Sequence, residues 1–184
     1  YHPGVRVEVR ALGGFEVRVE GRPVRFRREK ARLLLALLTV RDWEKEDLLE
    51  ALEATPGAFR ALSWQAVNAL EPERPKGAPP YFLRTRPYGL NLEAPELYLD
   101  LRDPALPPLS PYRGLDHPVL DEAARAYLEE RRRGLLQSPR PEDWLLALRL
   151  DPLDEAALGR LRGTALYEKG LRLRLVAEAE LEGD

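Results

Sequence analysis

A chain of 184 residues with 44% apolar and 33% charged side chains has ordinary globular composition, with length for one sizeable core or two small ones. The absence of cysteine excludes disulfides, zinc fingers and thiol nucleophiles, and histidines as far apart as His2 and His117 leave no evident metal or acid–base pair. The formal charge of -2 hides an asymmetry: residues 1–92 carry 16 Lys and Arg against 12 Asp and Glu, a net +4, whereas residues 93–184 carry 13 against 19, a net -6. A polyanion would therefore meet the front half.

No apolar run nears the roughly 18 residues of a membrane span, and no apolar segment follows a basic N-terminus as in a signal peptide. A cytoplasmic protein without membrane contact, and without a cofactor, is expected. Methionine is absent even at position 1, so the chain reads as starting inside a longer reading frame, after processing or at a trimmed end. Two Asn and two Gln beside 17 Pro, and 25 Arg against 4 Lys, suit a thermophile and equally suit GC-rich codon usage.

Val5, Val7 and Val9 alternate with Arg6, Glu8 and Arg10, and Phe15, Val17 and Val19 alternate with Glu16, Arg18 and Glu20. This period of two predicts half-buried strands, joined by Gly13-Gly14 and followed by a turn at Glu20-Gly21-Arg22-Pro23 and a short strand over 24–26. From about Arg28 to Val40 the period becomes helical, with Ala31, Leu34, Leu35 and Leu38 on one stripe. Arg27, Arg28 and Lys30 sit at the start of this helix, where the exposed N–H groups favour negative charge. A docked phosphate would offset the mismatch; so would Glu29 with solvent screening.

A second helix is expected over about 44–52, with Trp43 stapling its start. Thr55-Pro56 supplies an N-cap and a first-turn proline for a third helix to about Leu70. On that helix Phe59, Leu62, Ala66, Ala69 and Leu70 share one face, while Arg60, Trp64, Gln65 and Asn68 project from the other. A merely polar face would carry the same amides, but an indole on a wet face usually has a partner, whether the hairpin, DNA or another protein. Residues 71–80, with four prolines and Lys76-Gly77, read as a loop. Leu83 to Leu92 then places Arg84 and Arg86 at a Pro87-Tyr88-Gly89 turn between two short β runs, the pattern of a basic hairpin.

Residues 93–111 are rich in proline and read as a linker. Beyond it the pattern is helical. Leu120, Ala123, Ala124, Tyr127 and Leu128 form one stripe, and Trp144, Leu145, Leu148 and Leu150 a second. Ala156, Ala157, Leu161 and Leu166 form a third, with a final helix after a turn at Gly170. Helix pairs of this size stack like tetratricopeptide units.

In order, Leu12-Gly13-Gly14-Phe15-Glu16-Val17 running on to the basic stretch 25–34, then Leu83-Arg84-Thr85-Arg86-Pro87-Tyr88-Gly89-Leu90, resemble the OmpR-type winged helix-turn-helix of the Streptomyces antibiotic regulatory protein (SARP) family. Pro111-Tyr112-Arg113-Gly114, the later Glu130-Arg131, and Leu148-Arg149-Leu150-Asp151-Pro152-Leu153-Asp154-Glu155-Ala156 resemble the bacterial transcriptional activator domain that follows it there, in a shortened form. The resemblance implies an α+β winged helix-turn-helix over 1–92, a linker over 93–111, and an all-α tetratricopeptide-like domain over 112–184. It also implies a transcriptional regulator of double-stranded DNA that contacts RNA polymerase or a second copy of itself as a homodimer.

In such a fold the third helix enters the major groove, so Arg60, Trp64, Gln65 and Asn68 are the candidate base contacts. Arg27, Arg28, Lys30, Arg84 and Arg86 are the candidate phosphate or wing contacts. The competing expectation is a protein-interaction or regulatory tail of a larger protein, built on a winged helix that no longer reads DNA. An enzyme is the least favoured class, because Glu129, Glu130, Asp154 and Glu155 have the look of carboxylates on solvated helices.

Overall fold

In the computed structural model, which describes residues 1–183, the alternating valines form β1 (Val7–Arg10) and β2 (Glu16–Val19), paired antiparallel with Val7 opposite Val19 and Val9 opposite Val17. Val7, Val9 and Val17 are buried, as the period of two requires. Glu20 and Gly21, with φ of 53° and 77°, make the tight left-handed turn that suits an antiparallel hairpin. It leads to β3 (Arg22–Pro23) beside β2.

The leucine-rich stretch is α1 (Glu29–Val40), which buries Ala31, Leu34, Leu35, Ala36, Leu37 and Leu38. Then α2 (Lys45–Leu52) ends on the left-handed residue Glu53. Thr55 caps α3 (Pro56–Leu70) by accepting a hydrogen bond from the Ala58 N–H at 3.2 Å. The hairpin is β4 (Leu83–Arg84) with β5 (Gly89–Leu90), Leu83 opposite Leu90 and Arg84 opposite Gly89. Trp43 pairs with its turn through reciprocal 2.8 Å backbone hydrogen bonds to Tyr88, while its buried indole N–H donates to the Leu37 carbonyl at 2.8 Å.

Two buried carboxylates hold this arrangement. Glu71, at the end of α3, accepts from the backbone N–H groups of Tyr81 at 2.9 Å and Phe82 at 3.2 Å, fixing where the hairpin begins. Asp100 accepts from the N–H groups of Ala11 at 2.8 Å and Leu12 at 3.0 Å. Both satisfy buried donors that would otherwise be costly.

The expected linker over 93–111 is instead ordered on the sheet. It contains β6 (Leu97–Leu99), which runs parallel to β1 and gives the strand order β3-β2-β1-β6, and a 3-10 turn at Asp100–Arg102. Proline content misled here because three residues suffice for a strand when a partner is already in place. Tyr112, expected to open the helical domain, is also buried against the first unit: its N–H donates to Ala11 and Gly14 carbonyls, and its hydroxyl lies 2.7 Å from Thr39 Oγ1.

Four further helices follow: α4 (Pro118–Gln137), α5 (Pro141–Leu150), α6 (Glu155–Leu161) and α7 (Tyr167–Glu182). The chain divides into two compact units, Tyr1–Ala124 and the residues from Arg125 on, with the division inside α4. The whole is an α+β chain about half helical, with β1, β2 and β3 of its small sheet before the helices and β6 after α3. The second unit packs Leu145, Leu148, Ala157, Leu158 and Leu161 from α5 and α6 against Leu171 and Leu173 of α7. Gly170, expected as a turn, lies inside α7 and is buried, because α7 approaches α5 and α6 closely there. Asp154 caps α6 at the Ala156 N–H, 2.9 Å, and is ion-paired with Arg132.

Candidate functional site

Helix α3 turns Phe59, Leu62, Ala66 and Leu70 into the core, which leaves Arg60 and Trp64, one turn apart, exposed. They line an open groove of about 1130 Å3 bounded by α3, the start of α2, residues 74–80 and the hairpin turn. This exceeds the roughly 300–1,000 Å3 of ordinary small-molecule sites. Lys45, Arg60, Arg74 and Lys76 supply its charge, Phe59, Trp64 and Tyr88 its aromatic surface, and among the described residues no carboxylate lines it. Tyr88 meets Phe59 edge-on with ring centroids 5.1 Å apart, which braces the hairpin turn against α3.

Trp64 is 51% exposed, and its partner is the Arg74 guanidinium, 4.8 Å from the ring centroid. The cation lies over the indole and is attracted by the ring face. Arg74 also donates through Nη1 to the Ala78 carbonyl, while its Nε is buried without a partner, as is Ser63 Oγ on the groove wall.

The other predicted base contacts are not gathered into this groove. Asn68 is exposed on α3 but does not line it. Gln65, expected on the projecting face, is half-buried with its Oε1 enclosed and unpaired. Five residues from Arg60 carry Gln65 about 140° around the helix, onto the shoulder facing the fold.

Among the predicted phosphate contacts, Arg27 and Arg28 are exposed and, among the described residues, have no partner. Arg28 stands at the N-cap of α1 with no side-chain cap, Glu29 in the first turn is 2.6 Å from Arg32, and Lys30 donates to the Glu53 carbonyl at 3.2 Å. Arg86 is exposed in the hairpin turn with φ of 62°, and likewise unpartnered. Arg84 is engaged: its Nη2 lies 3.2 Å from Asp42 Oδ2 and donates to the Leu90 carbonyl at 3.2 Å. Of the two hairpin arginines, Arg84 is thus ion-paired while Arg86, among the described residues, is not.

Lys45, Arg74 and Lys76 were absent from the sequence-based candidates. Only the Lys76-Gly77 dipeptide in a proline-rich loop hinted at them, since their convergence on α3 is tertiary. In the second unit, Glu129 pairs with Arg132 at 2.7 Å and Glu155 with Arg174. Those arginines hold both carboxyls below their ordinary value, chiefly by hydrogen bonding. Among the described residues no group of three His, Cys, Asp or Glu is placed to hold a metal ion, and no helix is long and apolar enough to cross a membrane. No family model, curated protein or solved structure matches the chain.

Proposed function

We propose that the first unit is an OmpR-type winged helix-turn-helix that binds double-stranded DNA, as in a transcriptional regulator of the SARP kind, with α3 presented to the major groove and the β4–β5 hairpin as the wing. The observation that carries this reading is the groove along α3, which gathers four cations and three aromatic rings and, among the described residues, no carboxylate. Such a surface suits a phosphate backbone flanking a base edge. In this reading Arg60 and Asn68 face bases, Trp64 faces a sugar or thymine methyl, and Arg27, Arg28 and Arg86 approach phosphates. The helical unit from Arg125 is then a shortened, tetratricopeptide-like activator domain.

Binding of duplex DNA by the intact chain, followed by fluorescence anisotropy across a salt series, tests this. Neutralising about four to six phosphates gives a slope of log affinity on log salt of roughly -4 to -5. Absence of binding at low salt, or a flat response, overturns the reading.

A second reading is favoured by the Arg84–Asp42 pair and the half-exposed Trp64, which together suit a protein-interaction module whose winged helix no longer engages DNA. It predicts no shift of random duplex DNA at low salt.

A further inference from the structure

Residues 71–80 lead from α3 to the hairpin, and the segment is tied at its start, in its middle and at its end. At its start the Glu71 N–H donates to the Val67 carbonyl at 2.9 Å and the Arg74 N–H to the Glu71 carbonyl at 3.2 Å. At its end the buried Glu71 carboxylate holds the N–H groups of Tyr81 and Phe82. Between these anchors Ala78 N–H donates to the Pro75 carbonyl at 3.1 Å across Lys76 and Gly77, whose φ is 84°. That is a type II turn with Lys76 at its leading corner, and glycine supplies the left-handed residue it requires. Pro72, Pro75, Pro79 and Pro80 further restrict the backbone. Arg74 is clamped between the Trp64 ring and the Ala78 carbonyl.

The result is a stiff, short arm that holds two cations toward α3. Lys76 is exposed and, among the described residues, unpartnered. Arg74 has Nε enclosed and Nη1 committed to Ala78, so it lacks the fully free fork that paired readout of a guanine uses, yet keeps its charge at the groove. Both properties suit a phosphate better than a base. Meanwhile Arg84 on the hairpin shares its charge with Asp42, which shifts the available positive charge from the wing toward this segment.

We propose that residues 71–80 are a second, preformed arm of the interface, gripping the phosphate backbone of duplex DNA through Lys76 and Arg74 while α3 faces the bases; this rests on the DNA-binding reading above. Because the arm is already ordered, little conformational freedom is lost when it docks.

The test is anisotropy with the intact chain on several 20-base-pair duplexes of unrelated sequence across a salt series. Absence of wild-type binding overturns the DNA reading and this inference with it. Given wild-type binding, K76A and R74A are each expected to weaken it roughly three- to tenfold at moderate salt. Each should do so equally on every duplex, with a salt slope shallower by about 1. R74K retains the charge and loses the guanidinium that lies over Trp64, so it should keep the wild-type slope. R60A, by contrast, should change the ranking of the duplexes. Wild-type affinity and slope in both alanine variants, or a loss confined to one duplex, overturns the arm while leaving DNA binding intact. Lys76 is exposed and, among the described residues, has no hydrogen-bond or ion-pair partner for its side chain, so K76A remains decisive even where thermal unfolding shows R74A to be impaired.

Discussion

Gly89 is where the missing Cβ matters most. A methyl there would overlap Asp42 Oδ1, so the glycine makes room for the carboxylate that pairs with Arg84. An exposed pair of this kind contributes little to stability, but it holds one guanidinium back from any external anion. In the proposed function Asp42→Asn should tighten duplex binding a fewfold and steepen the salt slope by about 1, and Gly89→Ala should move binding the same way by expelling the carboxylate. Anisotropy titrations measure both, and unchanged affinity in both variants removes Asp42 as a restraint on Arg84. Sequence alone exposed Arg84 as a basic hairpin residue but not its neutralisation, because the carboxylate stands 42 residues upstream and reaches it only through the Trp43–Tyr88 pairing. Gln65 failed for a related reason: a helical wheel gives an angle, and only the packed neighbours show that this angle is enclosed.

Helices were the most legible elements, since period and punctuation agreed. The Thr55-Pro56 start of α3 and the leucine stripe of α1 stand where the spacing puts them. The strand β6 was not legible, because Leu97-Tyr98-Leu99 has no room for a period and acquires its identity from β1. Nor was the start of α7, which stands at Tyr167 ahead of Gly170 because glycine's usual role as a helix stop competed with a packing role. A Cβ on Gly170 would meet Leu161 Cδ1 at 2.9 Å, Leu148 Cδ2 at 3.1 Å and Leu158 Cδ1 at 3.3 Å. Alanine gains about 1 kcal/mol in helix propensity, but overpacking a tight core costs about 1–3 kcal/mol. Gly170→Ala is therefore expected to lower stability by about 1 kcal/mol, read as a shift in the chemical-denaturation midpoint; a stabilised variant would mean that the leucines yield freely.

Across the whole molecule the two compact units should respond differently to pH. In the second, the arginine partners lower the Glu129 and Glu155 carboxyls. Their stabilisation is present above the ordinary carboxylate value of 4.5 and is lost as pH falls through the lower folded values. Glu96 in the first unit is lowered too, mainly by a hydrogen bond from the Tyr81 hydroxyl, so acid weakens both. Alkali discriminates: Tyr112 and Tyr98 are pushed up mainly by burial, and Tyr81 by its hydrogen bond to Glu96, and all three lie in the first unit. Their contribution is complete below the ordinary tyrosine value of 10.0 and declines as pH rises through the folded values. Tryptophan fluorescence of a Trp144→Phe variant, in which only Trp43 and Trp64 of the first unit report, should show the melting temperature falling above pH 10; a flat profile there contradicts the tyrosine shifts.

The parallel strand Leu97–Leu99 has a practical corollary for dissecting the chain. A fragment stopped at Leu92, the boundary that composition alone suggests, would strip one flank of β1 of its ladder and leave the Ala11 and Leu12 N–H groups without the Asp100 carboxylate. An uncovered flank of that kind templates strand addition from neighbouring molecules. The 1–92 fragment should therefore self-associate on size exclusion with light scattering, whereas a fragment carried through Ala124 should elute as a monodisperse species.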